Sequence, residues 1–147
     1  MTVPPRVSAA GATVELPAGW TDRTMMTLIG PRGATGFLAN VVVTHETLGN
    51  AKTLAEYVAL QATAMVAELP GLAVLDERTL QFHGMSAFQR MHRFNAAPNM
   101  IQQLQTYVLE RGFVFVITCS AQVQDFDGLL PAFREVINSF KVAGHAE

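Results

Sequence analysis

VLDERTLQFHGMSAFQRMHRFNAAPNMIQQLQTYVLERGFVFVITCSA, running from Val74 to Ala121, is the stretch that decides the fold. Four of its segments read as strands: Val74–Phe82, Ser86–Phe94, Met100–Glu110 and Phe113–Ala121. Between them stand Gly84, Ala97-Pro98-Asn99 and the tight pair Arg111-Gly112. Turns that short join antiparallel neighbours, so the stretch predicts a meander of hairpins.

Upstream, Thr53 has the character of a helix N-cap, with Glu56 at capping-box spacing and Pro70-Gly71 as the stop. Earlier still, Val14–Leu16 reads as a short strand and Pro17–Trp20 as a turn. Arg23–Ile29 has strand character and halts at the turn signal Gly30-Pro31-Arg32-Gly33. Gly36–Glu46 is a further strand, with Phe37, Ala39, Val41 and Val43 on one face. Its other face carries Leu38, Asn40, Val42 and Thr44. Downstream, Leu129–Phe140 predicts a final amphipathic helix with Leu130, Phe133, Ile137 and Phe140 on one side. The order of strands, helix, meander and helix predicts an α+β fold, a twisted antiparallel sheet flanked by helices.

Half of the 147 residues are hydrophobic and 15% are charged, a lean charge supply that excludes disorder and hints at apolar surface beyond the core. The length suits one domain. A net charge of −2 and the lack of a basic run argue against a nucleic-acid partner or an anionic membrane. The N-terminal MTVPPRVSAAGATVELP lacks the charged-then-apolar pattern of a signal peptide. No apolar stretch approaches the roughly 20 residues of a membrane span, so a soluble cytoplasmic chain is expected. Cys119, the lone cysteine, lies in the apolar run FVFVITCSA and reads as a core residue.

Chemistry is sparse. His45, His83, His92 and His145 fall on different predicted elements, and no His/Cys pair has zinc-ligand spacing. His45 and Glu46, adjacent on a strand, point to opposite faces. Asp125 and Asp127 in AQVQDFDGLLP lack the remaining ligands of a calcium loop and read as a turn before a helix. Gly30, Gly33 and Gly36 precede a strand, which is wrong for a phosphate loop. Ser86 and Ser120 have no base partner in sequence, and Cys119 has no positive neighbour to activate it. No catalytic residue, metal or cofactor is expected, although distant residues of an enzyme could still converge.

Two features stand out. In YVALQATAMVAEL, Tyr57 to Leu69, an apolar stripe of Leu54, Val58, Ala62, Met65, Val66 and Leu69 is flanked by alanine, with Gln61 at its edge. In IQQLQTYV, Ile101 to Val108, neither face is cleanly apolar: Ile101, Gln103, Gln105 and Tyr107 alternate with Gln102, Leu104, Thr106 and Val108. The Asn40/Val42/Thr44 and Met25/Thr27/Ile29 faces are similarly mixed. Alanine as a helix former and ordinary solvated strands give one account of this. A recognition surface gives another, since small side chains admit a close helix and amides bond across the contact.

The ordered set ELPAGWTDRTMMTLIGP, FLANVVVTHETL, TLAEYVALQATAMVAELPGLAVLDE and AFREVINSF resembles the DcrB-related domain family with its PsbP-like fold. The resemblance extends from about Val14 to Phe140, the core of a single domain placed at 1–147, and is strongest to the Eag chaperones of type VI secretion. It implies a non-catalytic, homodimeric cytoplasmic chaperone. Its partner would be an effector of the PAAR or Rhs type, whose N-terminal transmembrane helices it shields before loading on the secretion spike. Matched residue by residue, the family's helix glutamine falls at Gln61, with apolar positions at Met65 and Leu69. The strand glutamine falls at Gln105 with Ile101 on the same face, and Gln103 joins them by alternation alone. The polar–apolar–polar triplet falls at Asn40, Val42 and Thr44. The paired apolar positions of the earlier strand fall at Met25 and Thr27, where threonine departs from the family's larger aliphatic residue. A non-catalytic module of the same fold that binds a soluble partner is the alternative.

Overall fold

Residues 3–33 and 36–144 are described by a computed structural model. The elements are β1 (Arg6–Ala9), β2 (Ala12–Glu15), β3 (Met26–Arg32), β4 (Leu38–Thr47), α1 (Leu54–Glu68), β5 (Ala73–Phe82), β6 (Met85–Ala96), β7 (Asn99–Glu110), β8 (Phe113–Gln122) and α2 (Val123–Ser139). β1 and β2 form a separate hairpin, and the other six strands make one antiparallel sheet in the order β3-β4-β8-β7-β6-β5. The α+β class and the meander are as the sequence predicts. Two of its turns, His83-Gly84 and Arg111-Gly112, have positive φ at both residues, the mirror-image turn whose twist suits a hairpin. The third turn has only Ala97-Pro98 at its centre, because Ala96 pairs with Asn99.

Thr53 caps α1 as expected. Its Oγ1 accepts the Glu56 N–H at 3.1 Å, and the Glu56 carboxylate accepts the Lys52 N–H at 2.8 Å, one residue outside the usual reciprocal bond. Several boundaries differ from the sequence reading, among them the start of β3, at Met26 and not Arg23. β3 continues through Gly30-Pro31-Arg32, with a register shift after Ile29. As an edge strand it can hold a proline without losing a ladder bond. β1 pairs back on β2 across Ala10-Gly11, where the sequence suggested a single short strand. α2 starts at Val123, not Leu129, so Asp125 and Asp127 lie in the helix. Pro131 resembles a helix-start signal but stands inside α2, whose earlier turns are anchored by the buried Phe126.

The two faces of the sheet are treated differently. On one, α2 packs Phe126, Phe133 and Ile137 against Leu104 and Val108 of β7, Ile117, Cys119 and Ala121 of β8, and Ala39 and Val41 of β4. Gln102 belongs to that side, buried and held by Arg93 Nε at 2.8 Å. On the other, α1 packs Leu54, Tyr57 and Val58 against Tyr107, Val114 and Phe88. The stripe of α1 is narrower than predicted: Val66 is 71% exposed, because it lies on the flank of the helix.

A candidate groove beside helix α1

Cross-strand register fixes what the α1 side of the sheet presents. One row runs Ile29–Asn40–Ser120–Gln103–His92, from β3 to β6. The next runs Thr27–Val42–Thr118–Gln105–Arg90, and a third begins at Thr44 and continues Val116–Tyr107–Phe88. Asn40, Val42, Thr44, Thr27, Ile101, Gln103 and Gln105 thus share one face. α1 lies along β6: Leu54 and Val58 cluster with residues near its start, and the Pro70 carbonyl accepts the Asn95 N–H near its end at 2.8 Å. β7, β8, β4 and β3 are left beside it as a floor. Four strands span about 14 Å at the usual spacing, and a helix with its side chains is about 10–12 Å wide.

The floor residues Asn40, Val42, Thr44, Gln103, Gln105, Val116 and Thr118 are all half-buried. None carries a charge. Tyr57 of α1 points to this side, donating its hydroxyl to the Glu46 carboxylate of β4. Burial and that bond both raise the Tyr57 pKa, so the phenol keeps its proton. Gln61 lies one turn further along the same flank, half-buried, its side chain making no hydrogen bond among the described residues. Met65 and Ile101 are buried and back the groove, while Leu69 is half-buried where α1 ends. Met25, exposed, stands one residue before β3. His45, as alternation requires, turns away from Glu46 toward the Phe113 and Phe115 rings.

The sequence reading missed the polar groups beneath α1. Arg90 is 2% exposed and donates to Glu77 Oε2 (3.0 Å), Tyr107 Oη (3.2 Å) and the Val58 carbonyl (3.1 Å), with Nη1 3.8 Å from Met65 Sδ. Its guanidinium lies over the Phe88 and Tyr107 rings at 5.3 and 5.7 Å. Tyr107 Oη in turn donates to Gln105 Oε1 at 2.6 Å, and Gln105 Nε2 reaches Thr118 Oγ1 at 3.5 Å. In the adjacent row, His92 Nε2 lies 2.8 Å from Gln103 Oε1, and Gln103 Nε2 donates to Ser120 Oγ at 2.9 Å. Burial depresses the His92 pKa, outweighing the Gln103 bond, and keeps the ring neutral. The two strand glutamines therefore join a buried cation and a buried imidazole to the open floor.

Among the described residues, no three His, Cys, Asp or Glu side chains come together as metal ligands, and no helix is long and apolar enough to cross a membrane. His145 lies outside the described residues. Cys119 is buried and its thiol is pushed up to about 12 by desolvation. A cavity of about 290 Å3 on the α2 side, lined in part by Arg78, Leu80, Met91 and Arg134, is remote from the groove.

A family model described as DcrB matches residues 12–139. Among solved structures, the chain is similar to PA94, a Pseudomonas aeruginosa protein of unknown function, with a TM-score of 0.83. The identity is 18%, over 96% of this chain and 98% of that one. It is similar to cyanobacterial PsbP from Synechocystis, with a TM-score of 0.59 and 16% identity over 94% and 91% of the two chains. It also resembles LpqN, involved in cell envelope biogenesis of Mycobacterium tuberculosis, with a TM-score of 0.50 and 15% identity over 81% and 82%. At these identities the likeness establishes the fold, which is PsbP-like. No functionally curated protein matches the chain.

Proposed function

The chain belongs to the DcrB family, and from that premise we propose that it is a cytoplasmic, non-catalytic chaperone of a type VI secretion effector. Its guest is the N-terminal transmembrane region of a PAAR- or Rhs-type effector, shielded from water until loading on the spike. The observation that supports this reading is the uncharged floor beside α1, one helix wide and walled by the Tyr57–Gln61 flank. Solvated strands commonly carry Lys or Glu, which discourage edge pairing. Across β4, β8 and β7 the rows from Asn40 to Thr44 hold amides, hydroxyls and valines instead. Each square ångström of apolar guest surface covered is worth roughly 25 cal/mol, with ordering costs to set against it.

The contact residues in this reading are Gln61, Gln103, Gln105, Asn40, Val42, Thr44 and Thr27, with Leu69 and Met25 at the ends and Met65 and Ile101 behind. A homodimer belongs to the same proposal. It is supported by β3, an edge strand whose Met26, Leu28 and Ile29 are all more than half exposed. Co-expression with the N-terminal region of an effector encoded beside this chain tests the reading. Wild type should retain that region in soluble, co-purifying form. Gln61→Ala combined with Gln105→Ala should weaken capture while leaving the circular dichroism spectrum unchanged. An effector region that stays insoluble with wild type refutes the chaperone; undiminished capture by the double variant refutes the surface. Capture of a water-soluble partner on the same floor, without any apolar helix, would favour a general interaction module.

A further inference from the structure

We infer that the floor of the groove is polarised to donate hydrogen bonds, and that it selects apolar helices carrying acceptor oxygens on the face laid against Gln103 and Gln105. This rests on the chaperone reading and specifies its guest. The polarity originates in groups that face no choice. A guanidinium has donors and no acceptor. Tyr107 Oη, fully buried, must therefore accept from Arg90, and its own proton has one acceptor within reach, Gln105 Oε1 at 2.6 Å. The opposite amide orientation would set an N–H2 against that proton and leave the buried phenol unsatisfied. Gln105 is thus held with its oxygen inward and its nitrogen toward Thr118 and the floor.

The neighbouring row reaches the same polarity independently. His92 is buried, and its Nδ1 has no partner among the described residues. The single proton of the neutral ring belongs on Nε2, where Gln103 Oε1 accepts it at 2.8 Å. Gln103 Nε2 then donates to Ser120. Each amide uses one N–H within the sheet and keeps its second for a guest. Thr118, half-buried, has accepted and keeps its hydroxyl proton to pass on, while Ser120 is buried beneath the floor. Asn40 differs in that no buried donor pins its amide: one Nδ2 hydrogen goes to the Leu38 carbonyl, and the group presents a donor and an acceptor at the rim. The occupant favoured is a helix with Ser, Thr or an under-bonded main-chain carbonyl on the buried face. Lys, Arg and Trp, which only donate, are disfavoured there.

The test uses three labelled 20-residue Leu/Ala helical peptides in dodecyl maltoside, read by fluorescence anisotropy. They carry two serines four residues apart, two O-methylserines, or two alanines at the same positions. O-methylserine keeps the acceptor oxygen and loses the donor. Wild type should bind the serine and O-methylserine peptides about three- to tenfold more tightly than the alanine peptide, the range for one net neutral hydrogen bond. O-methylserine falling to the alanine level, or equal binding of all three, overturns the donor polarity while leaving the chaperone reading in place. Binding of none overturns that reading itself. Tyr107→Phe should erase much of the preference for O-methylserine with little change in alanine-peptide affinity, a ratio that loosened packing alone would not alter. Gln105→Glu, at a half-exposed position, should reverse the preference toward a donor-bearing peptide. An unaltered preference in a folded Gln105→Glu variant would overturn the inference.

Discussion

Arg90→Met removes the origin of one polar row while keeping an unbranched stem in its place. The cost follows from what each partner loses. Glu77 has a side chain 46% exposed, so water replaces the guanidinium and the ion pair contributes well under about 1 kcal/mol. The Val58 carbonyl retains its helical bond and loses a second one worth about 0.5–1 kcal/mol. Tyr107 Oη, buried, loses its donor at a cost of about 1–2 kcal/mol. Removing the cation from the Phe88 and Tyr107 faces costs about 1–2 kcal/mol more at this desolvated site. The added apolar burial of methionine offsets about 1 kcal/mol. A net destabilisation of about 3 kcal/mol is expected. In urea, followed by far-UV circular dichroism, the midpoint should fall by about 1.5 M for an m-value of about 2 kcal/mol/M. Tyr107→Phe should cost about 1 kcal/mol less in the Arg90→Met background than in wild type, because the phenol has already lost its donor. A midpoint within about 0.3 M of wild type, or strictly additive variants, would show that Arg90 does not tie α1 to the sheet.

Thr53→Ala deletes the α1 cap and should lower unfolding free energy by about 1 kcal/mol in the same urea assay; no change would mean that the cap is redundant with the Glu56–Lys52 bond. His92 has a depressed folded-state pKa, so the unfolded chain binds its proton more readily. Stability should therefore fall as pH drops below about 6.5, down to the lower folded value, and be recovered above it. His92→Gln should flatten that part of the stability–pH curve, and a slope that persists unchanged would assign it to other groups. Cys119, with its thiol pushed up to about 12 against an ordinary 9.0, should react with iodoacetamide at least about a thousandfold more slowly in the folded protein than in urea. Rapid native labelling would contradict its burial.

The meander was legible because its turns are short and its strands long. Arg111-Gly112, read correctly as a two-residue turn, already sets Gln105 opposite Thr118 and Gln103 opposite Ser120. The signal Ala97-Pro98-Asn99 makes the preceding turn one residue longer than the observed Ala97-Pro98. That slip moves every partner on β6 to the other face, since side chains alternate with period two. With the observed two-residue turn, Gln105 meets Arg90 and Gln103 meets His92. The polar groups that fix both glutamines were therefore within reach of the sequence, hidden by one residue of register. Composition could not have revealed them, because Arg90 and His92 look like ordinary solvated strand residues until α1 is laid over β6. The start of α2 was lost for a different reason: Pro131 disfavours a helix locally, and the burial of Phe126, Phe133 and Ile137 overrides that preference.

The arrangement also explains how the floor can be polar without being charged. Exposed charge would keep an apolar helix wetted, while bare valine and alanine would bind any greasy surface in any orientation. Arg90 resolves that conflict by lying under α1, with its charge matched by Glu77 at the far side, away from β7, β8 and β4. Its influence reaches the groove through the orientation of neutral groups: a phenol, then an amide, then a hydroxyl. Met65 and the Val58 carbonyl, which form the roof over Arg90, belong to the helix whose Gln61 flank walls the same groove. The element that buries the cation is thus the element that bounds the site. Detaching α1 would wet Arg90 and release Gln105 together, so stability and donor polarity should be lost in one step.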